Sequence, residues 1–368
     1  MGRRGTLTVH REDRAVALTK GFEVEIYTGT PEGVAVGFAD QVVAALPNFV
    51  TEPDRRNVEY TTAPLRRYAD LPCALLKPRQ ALRQFLPQPY TLLPGSTLAL
   101  GGEDHFERSD PHNPYHTYIE TTYGTTVVTA SIHINVGLSD MDLLFQACRL
   151  VRAEASLYLA LSAASPFRNG QITGSHSSRW QLFPPTPKQV PFFASHQHYI
   201  DWTEAQIAAG IMFNPRHLWA AVRPNGDNRP HDLNRIELRI CDMVSDPLAL
   251  LAITALLEAR LLQMSLNPEQ FDPFRGAFTP TELETIATEN EQAAARHSLD
   301  AKLIHWQTGQ TITAAAWIEQ QYTDAWLIAH QYGFAEYLAP IQQNLPCGGP
   351  DEPRNHAQRR CLTTAGGP

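Results

Sequence analysis

The chain has 368 residues and a net charge of −8 at pH 7; 43% of its residues are hydrophobic and 18% are charged. Because one hydrophobic core usually stops growing below this length, we expect one large domain or a domain with an extension. The acidic balance disfavours a nucleic-acid-binding surface spread over the whole molecule. No run of about 18 apolar residues indicates a membrane helix, and residues 1–14 lack the apolar segment of a secretory signal. We therefore expect a cytoplasmic protein with neither nucleic-acid nor membrane partners.

Period-two alternation of apolar and polar residues predicts β-strands in four places. These strands are expected at residues 22–27, 57–62, 125–137 and 234–243. Helix signals lie between and after them: one long helix begins at Ser139, and another has Asp246 as its N-cap and Pro247 in its first turn. The residues at 223–232 have the composition of an exposed turn. The mixture predicts an α+β protein in which long helices pack on a sheet.

The pattern changes after about residue 266 and indicates helices only, starting with a capping box formed by Thr279 and Glu282. We therefore predict three parts along the chain. They are a sheet-containing domain at 15–265, a helical extension at 266–345 and a tail at 346–368. The tail is rich in Gly, Pro and polar residues, and we expect it to be disordered.

The five cysteines lie far apart and include no C-x-x-C pair. This spacing fits neither a structural zinc site nor a disulfide scaffold, so most of them are expected to be buried thiols. Cys347 and Cys361 both lie in the tail, where a regulatory disulfide is a weaker alternative.

The polar faces of the predicted strands carry mostly acids. Since side chains alternate across a strand, Glu23 and Glu25 share the face opposite Phe22 and Val24. Two glutamates about 7 Å apart repel each other unless a cation lies between or above them. The polar faces of the other strands contribute Glu59, His133, Asn135, Glu237 and Arg239. If these strands form one antiparallel sheet, its second face is acidic and contains an arginine.

Two explanations of this acidic face stay open. A one-sided sheet ordinarily has a solvated outer face, and that would be sufficient for any single strand. Exposed strands usually mix lysine with glutamate, however, and no lysine lies on these polar faces. Oxygen ligands are those that Mg²⁺ and Mn²⁺ prefer, and Mg²⁺ is commonly bound by a few carboxylates together with substrate phosphates. The sequence has neither a P-loop nor a G-x-G-x-x-G motif, so bound ATP is expected to be held through metal ions.

Several stretches of the sequence together resemble successive motifs of the carboxylate–amine ligases related to glutamate–cysteine ligase. In chain order they are GFEVEIYTG, NVEYTTAP, ASIHINVG, LSAASPFRNGQITGSHSSR and WAAVRPNGDNRPHDLNRIELRICD, which together span about residues 20–260. A further stretch, ENEQAAARHSLDAKLIHWQTG at 289–309, resembles the helical extension of the cyanobacterial and proteobacterial glutamate–cysteine ligases.

The resemblance implies a glutamine-synthetase-like fold, in which an antiparallel sheet curves into a funnel with helices outside. It also implies a reaction. ATP would phosphorylate the γ-carboxylate of L-glutamate, and the amine of L-cysteine would attack the acyl phosphate. The products would be γ-glutamylcysteine, ADP and phosphate, which is the first step of glutathione biosynthesis. The domain at 15–265 would then be the catalytic domain, and its partners would be small molecules.

The resemblance also implies roles for individual residues. Magnesium, or manganese in its place, would be held together with the ATP phosphates by Glu23, Glu25, Glu52, Glu59, His133 and Glu237. Asp54 is a rival to Glu52 for its place in this set. Arg239, with Glu237 beside it, would stabilise the transferring phosphoryl group. The substrate carboxylates would be bound by Arg168, Arg179, Arg223 and Asn135, with a structural ion pair as the alternative for each arginine.

The sequence departs from the family pattern in two motifs. Relatives often have S-A-N-S-P-F and D-T-G-Y where this chain has SAASPF and ITGSH. These differences place the choice of substrate in doubt more than the ligation chemistry. Two other functions therefore stay open: ligation of a different amino acid or amine by the same mechanism, and non-catalytic binding of a nucleotide or amino acid. The intact acids and Arg239 favour an enzyme.

Overall fold

The computed structural model describes residues 18–100 and 105–345. The first residues of the predicted domain at 15–265 and the whole predicted tail, with Cys347 and Cys361, lie outside the described residues. The division of the chain at residue 266 stays a prediction.

The β-strands of the described residues form one large sheet and two hairpins. In chain order they are β1 (Lys20–Gly29), β2 (Phe49–Thr51), β3 (Asn57–Thr61), β4 (Thr91–Leu93), β5 (Ile132–Gly137), β6 (Phe167–Arg168), β7 (Gln171–Ile172), β8 (Val222–Asn225), β9 (Arg235–Leu238), β10 (Lys302–Ile304) and β11 (Thr311–Thr313). The large sheet has the order β2-β3-β1-β5-β9-β8, and β4 also pairs with β1. The strand pairs are antiparallel. The hairpins are β6–β7 and β10–β11.

Helices make up most of the rest of the described chain. The α-helices are α1 (Ala39–Ala45), α2 (Leu71–Phe85), α3 (Pro114–Tyr123), α4 (Met141–Ala153), α5 (Ala155–Ser162), α6 (Ser178–Leu182), α7 (His196–Ala208), α8 (Pro247–Leu266), α9 (Pro268–Phe271), α10 (Pro280–His297), α11 (Ala314–Tyr332) and α12 (Ala339–Asn344). Short 3-10 helices lie at Tyr68–Asp70, Gly124–Val127, Pro215–His217, Pro273–Arg275, Ser298–Asp300 and Ala335–Leu338.

One face of the large sheet is buried under helices. Its side chains include Val24, Ile134 and Leu238, each of which is completely buried. α4 packs on β8 and β9, while α8 contacts α2, α4 and α11 in the helical layer. Burial of an apolar strand face against helices stabilises both layers, because the hydrophobic effect is proportional to the area removed from water. The predicted α+β class, with an antiparallel sheet and outer helices, is confirmed.

The predicted strands at 22–27 and 57–62 correspond to β1 and β3. The other two predicted strands are shorter than expected, because β5 begins only at Ile132 and β9 ends at Leu238. The turn predicted at 223–232 is also partly wrong, since β8 extends to Asn225 and pairs with β9. Composition misled here because Pro224 is tolerated on an edge strand, where its missing N–H leaves no ladder bond broken.

The long helix predicted from Ser139 is interrupted at Glu154, between α4 and α5. The buried carboxylate of Glu154 accepts hydrogen bonds from Arg260 Nε at 3.0 Å and from Trp306 Nε1 at 3.2 Å. These are long-range partners, which periodicity cannot reveal. The extension predicted to be purely helical contains the hairpin β10–β11, whose end is held by hydrogen bonds between Asn290 and the backbone of Ile304.

Among the described residues, α8 is the helix that is long and apolar enough to cross a membrane by length and composition. Its apolar 18-residue window is 78% buried inside the protein. A buried core helix of this kind passes the same test, and the helices that contact α8 account for its composition.

A buried ion pair fixes the start of β1. Lys20 shares the helix-covered face with Phe22, and its Nζ lies 2.8 Å from Glu258 Oε2 of α8. The same ammonium donates to the carbonyl of Arg66 at 2.7 Å and lies 4.4 Å from the centre of the Tyr68 ring. Burial lowers the pKa of Lys20 and raises that of Glu258, while the charge of each partner opposes this shift. The strand that carries Glu23 and Glu25 is thereby anchored to the helical layer.

We expect Lys20→Met to lower the free energy of unfolding by about 3–5 kcal/mol, because it leaves Glu258 buried without its partner. Urea denaturation followed by circular dichroism measures this change. The double variant Lys20→Met, Glu258→Leu should recover most of the loss, since no buried charge is then left. The exposed pair of Arg55 and Asp40, 2.7 Å apart, is the control, and Arg55→Met should cost less than about 1 kcal/mol. A similar small effect at Lys20 would contradict the proposed anchor.

Candidate active site

The register of the sheet brings the predicted acids together on the face opposite the helices. Glu25 lies directly across from Glu59 on β3, and Glu23 lies directly across from His133 on β5. Side chains directly opposite in an antiparallel pair have Cβ atoms about 4.5–5.5 Å apart. The centre of the sheet therefore carries adjacent carboxylates and an imidazole.

His133 connects the central acids. Its Nδ1 lies 3.0 Å from Glu23 Oε2 and 3.3 Å from Glu237 Oε1, and its Nε2 lies 3.1 Å from Ser131 Oγ. Ser131 donates to Glu25 Oε2 through both its backbone N–H and its hydroxyl, each at 2.7 Å. These bonds fix the orientations of Glu23 and Glu25 on the sheet.

Glu237 is completely buried and is held by arginines on both sides. Arg223 donates to both of its oxygens, at 2.6 and 3.1 Å, and Arg239 donates to Oε1 at 2.5 Å. Asn225 adds a bond at 2.7 Å. Burial alone would raise the pKa of Glu237, but Arg223 and Arg239 hold it well below its ordinary value. This carboxylate is ionised and positions the two guanidinium groups.

Asp54, the alternative to Glu52 as a metal ligand, already has partners within the protein. Its carboxylate accepts from Arg56 Nε at 2.8 Å and from Arg56 Nη2 at 2.6 Å, and it also accepts from the backbone N–H of Glu107. Glu52, by contrast, lines the cavity together with Glu23, Glu25 and Glu59. The structure therefore places Glu52 within the acid cluster and gives Asp54 a structural ion pair.

The acid cluster is electrostatically strained. Burial and the charges of Glu52, Glu23 and Glu25 raise the pKa of Glu59 well above its ordinary value. Burial also raises the pKa values of Glu25 and Glu52. Like charges at this separation cannot all be ionised in a buried site unless a cation balances them.

The donors fit a divalent metal ion. Among the described residues, ligand atoms lie within 4.8 Å of one another in two groups, Glu25 with Glu59 and His133, and Glu23 with Glu237 and His133. A ligand set made mostly of carboxylate oxygens, with one imidazole nitrogen, suits Mg²⁺ or Mn²⁺. The first group fits better, because Glu237 is already neutralised by arginines.

A cavity of about 700 Å³ lies over this face of the sheet, and groups of opposite charge line it. The acids Glu23, Glu25, Glu52 and Glu59 line one part of it. Arginines line another part; of the described residues these are Arg179, Arg216, Arg223, Arg229, Arg235 and Arg239. Apolar and aromatic side chains complete it, including Phe106, Ile119, Phe183, Trp219 and Tyr115. A volume of this size is typical of small-molecule sites.

The predicted substrate-binding residues are placed differently from one another. Arg179 lines the cavity, but its Nη atoms donate to the carbonyls of Ile240 and Arg239 at 3.1 and 3.0 Å. It thus fixes the chain that follows β9. Asn135 donates to Glu23 Oε1 at 3.1 Å. Arg168 is apart from the others and lines a separate small recess.

Sequence reasoning missed Arg216, Arg229 and Arg235. Arg235 has the same parity on β9 as Glu237, so the alternation itself could have identified it. Arg216 and Arg229 lie outside regular strands. The alternation of a strand therefore gives no indication of where their side chains lie.

Comparison with known proteins agrees with the fold. The model of the family described as glutamate–cysteine ligase family 2 matches residues 19–356 of the chain. The chain belongs to this ligase family. It is 30% identical over 219 residues to a protein provisionally named glutamate–cysteine ligase 2 from Gloeobacter violaceus, covering 59% of this chain and 56% of the relative. A Thermobifida fusca protein with the same provisional name is 26% identical over 243 residues, covering 66% and 57%. The chain thus spans little more than half the length of these curated relatives.

Solved structures share the fold at low sequence identity. A glutamate–cysteine ligase from Francisella tularensis in complex with AMP has a TM-score of 0.71 and 13% identity, covering 90% of this chain and 82% of that one. A bifunctional glutathione synthetase from Pasteurella multocida also has a TM-score of 0.71, with 16% identity, and covers 94% and 50%. At this identity the likeness establishes the fold alone.

We expect Glu59→Gln to stabilise the metal-free protein and to remove most of its stabilisation by Mg²⁺. The folded pKa of Glu59 is raised, so without metal its contribution to stability is present below about 4.5, the ordinary glutamate value, and is lost as pH rises towards the raised value. Glutamine removes this pH dependence. At a metal concentration of about 100 times the Kd, binding adds about 2.7 kcal/mol to the free energy of unfolding. The variant should lose most of this stabilisation.

Thermal unfolding across pH, with EDTA or with MgCl₂, measures both effects of Glu59→Gln. Glu289→Gln is the control, because Glu289 is exposed on α10 and does not line the cavity. Equal Mg²⁺-dependent stabilisation of Glu59→Gln and the wild type would remove Glu59 from the ligand set.

Proposed function

We propose that this protein is an ATP- and Mg²⁺-dependent ligase that joins the γ-carboxylate of L-glutamate to the amine of L-cysteine. A carboxylate oxygen of glutamate attacks the γ-phosphorus of ATP, and the bond to the ADP oxygen breaks. The cysteine nitrogen then attacks the carbonyl carbon of γ-glutamyl phosphate, a proton leaves the nitrogen, and phosphate departs. The products are γ-glutamylcysteine, ADP and phosphate, which would begin glutathione biosynthesis.

The observation that carries this proposal is the pairing of Glu25 with Glu59 and of Glu23 with His133 across the central strands. These residues, with Glu52, would hold magnesium, which supplies positive charge that neutralises the ATP phosphates. Membership of the ligase family and the fold shared with a glutamate–cysteine ligase support the reaction class.

Arg239 is the candidate for stabilising charge on the transferring phosphoryl group. It lines the cavity, and it is held in place by Glu237 at 2.5 Å through its side chain and by Arg179 through its carbonyl. A guanidinium fixed in this way needs little reorganisation when charge develops near it. Glu237 acts here as a positioning residue for Arg239 and Arg223.

A second candidate is ligation of glutamate to a bulkier amine by the same mechanism. The observation that favours it is the aromatic part of the cavity, where the Phe183 and Trp219 rings lie 5.1 Å apart and Tyr115 also lines the wall. Such a wall offers more apolar surface than a cysteine side chain can cover.

We expect the purified protein to release ADP from ATP with Mg²⁺, L-glutamate and L-cysteine, and to stop when EDTA is added. A coupled ADP assay over a panel of amines, with each substrate omitted in turn, measures this. Faster turnover with an aromatic amine would favour the second candidate. Absence of phosphate release with every amine would leave a non-catalytic binding protein.

We expect Arg239→Ala to lower kcat by about 10³–10⁵-fold, the range known for arginines that stabilise a transferring phosphoryl group. Nucleotide binding, measured by calorimetry, should change little. The fold should be retained because Glu237 keeps its bonds to Arg223 and Asn225. Arg239→Lys, which keeps the charge but not the planar fork, should have an intermediate kcat. Wild-type turnover in the alanine variant would rule out this role.

A further inference from the structure

Among the described residues, two arginines of the cavity carry a buried guanidinium nitrogen without a hydrogen-bond partner: Arg179, at Nε, and Arg229, in the turn between β8 and β9. The Nη atoms of Arg179 donate to backbone carbonyls. Within the described part of the chain, the buried atom of Arg229 that has no hydrogen-bond partner is Nη1. Arg223 and Arg239 share Glu237, and Arg235 donates to Asn135 and to Asn234.

The position of Arg229 is unfavourable in the free protein. Burial and the like charge of Arg223 lower the pKa of its guanidinium to about 10, so it is still protonated at neutral pH. A partly buried cation without a full set of acceptors costs free energy. Binding sites often carry such groups, because the missing partner is supplied by the ligand.

The order of the strands in the sheet indicates which kind of ligand group the guanidinium of Arg229 can contact. The acid cluster lies over β3, β1 and β5, whereas β8 is the edge strand three places from β1. At about 4.8 Å per strand this corresponds to about 14 Å. Metal-bound phosphates belong over the acids, so the part of the cavity near Arg223 and Arg229 is left for another anionic group.

We propose that Arg229 binds a carboxylate of an amino-acid substrate that does not take part in the reaction. The inference rests on the proposed ligase function and names a binding group for that site. A guanidinium engages a carboxylate through two parallel hydrogen bonds, and the guanidinium of Arg229, which lines the cavity, provides the donors. The carboxylate belongs either to the acyl donor, as its α-carboxylate, or to the amine acceptor.

Arg229→Met tests the proposal, because methionine keeps an apolar stem and removes the charge. We expect KM for one amino acid to rise about 10- to 100-fold, the effect of losing a hydrogen bond to a charged group, with kcat little changed. Arg229→Lys should recover part of the loss. Arg296→Met is the control, because Arg296 is exposed on α10 and does not line the cavity.

Decarboxylated substrates identify the source of the carboxylate. 4-Aminobutanoate is glutamate without its α-carboxylate, and cysteamine is cysteine without its carboxylate. The wild type should prefer glutamate over 4-aminobutanoate, or cysteine over cysteamine, and Arg229→Met should lose one of these preferences by the factor by which KM rises. The melting temperature of Arg229→Met should not fall, because the guanidinium that it removes lacks a hydrogen-bond partner for its Nη1 in the free protein. Unchanged preferences, or a large fall in melting temperature with KM unchanged, would overturn the proposal.

If the wild type releases no ADP, the proposed function fails, and binding then tests Arg229 separately. Stabilisation by L-glutamate or L-cysteine in thermal unfolding should be present in the wild type and in Arg296→Met and absent in Arg229→Met. Equal stabilisation of all three proteins, or none in the wild type, would overturn the inference.

Discussion

The repulsion among carboxylates at the centre of the sheet is the constraint on which this site depends. Glu25 and Glu59 are directly opposite each other on neighbouring strands, and Glu52 lines the cavity with them. Burial, and after it the like charges of neighbouring glutamates, raise the pKa values of Glu25 and Glu59. A sheet selected for stability alone would separate them, because like charges directly opposite destabilise an antiparallel pair. The cluster is understandable if a divalent ion is part of the working site.

The charge of the buried carboxylates is balanced in different ways in the two halves of the sheet. On the β8 and β9 side, Glu237 is neutralised by Arg223 and Arg239 from the protein itself. On the β1 and β3 side, the proposed metal ion would supply the balancing charge. The cavity consequently has a part that attracts cations next to a part that attracts anions. The substrates of the proposed reaction match both parts, since ATP would bring a metal-bound triphosphate and the amino acid a free carboxylate.

Much of this site could be predicted because alternation on a strand is a local property. Glu23, Glu25, Glu59 and His133 all lie on the face that period two assigns to them, and the α+β class follows from the same pattern. The sequence could not show that Glu25 faces Glu59, since register depends on how distant strands pair. It also could not show that Cys241, which falls within the strand predicted at 234–243, lies beyond the end of β9 and is completely buried near the carbonyl of Tyr158.

The departures from the family pattern have a structural interpretation. The buried carboxylate of Asp242 accepts from the backbone N–H of Ala164 at 2.9 Å and from the hydroxyls of Ser165 and Ser177 at 2.7 and 2.8 Å. Because the backbone of Ala164 makes this bond, its side chain is not needed to connect the loop to the chain after β9. Arg179, next to these serines, is therefore held where it fixes the carbonyl of Arg239. The loop can thus vary at Ala164 while the arginine most directly tied to the chemistry keeps its position.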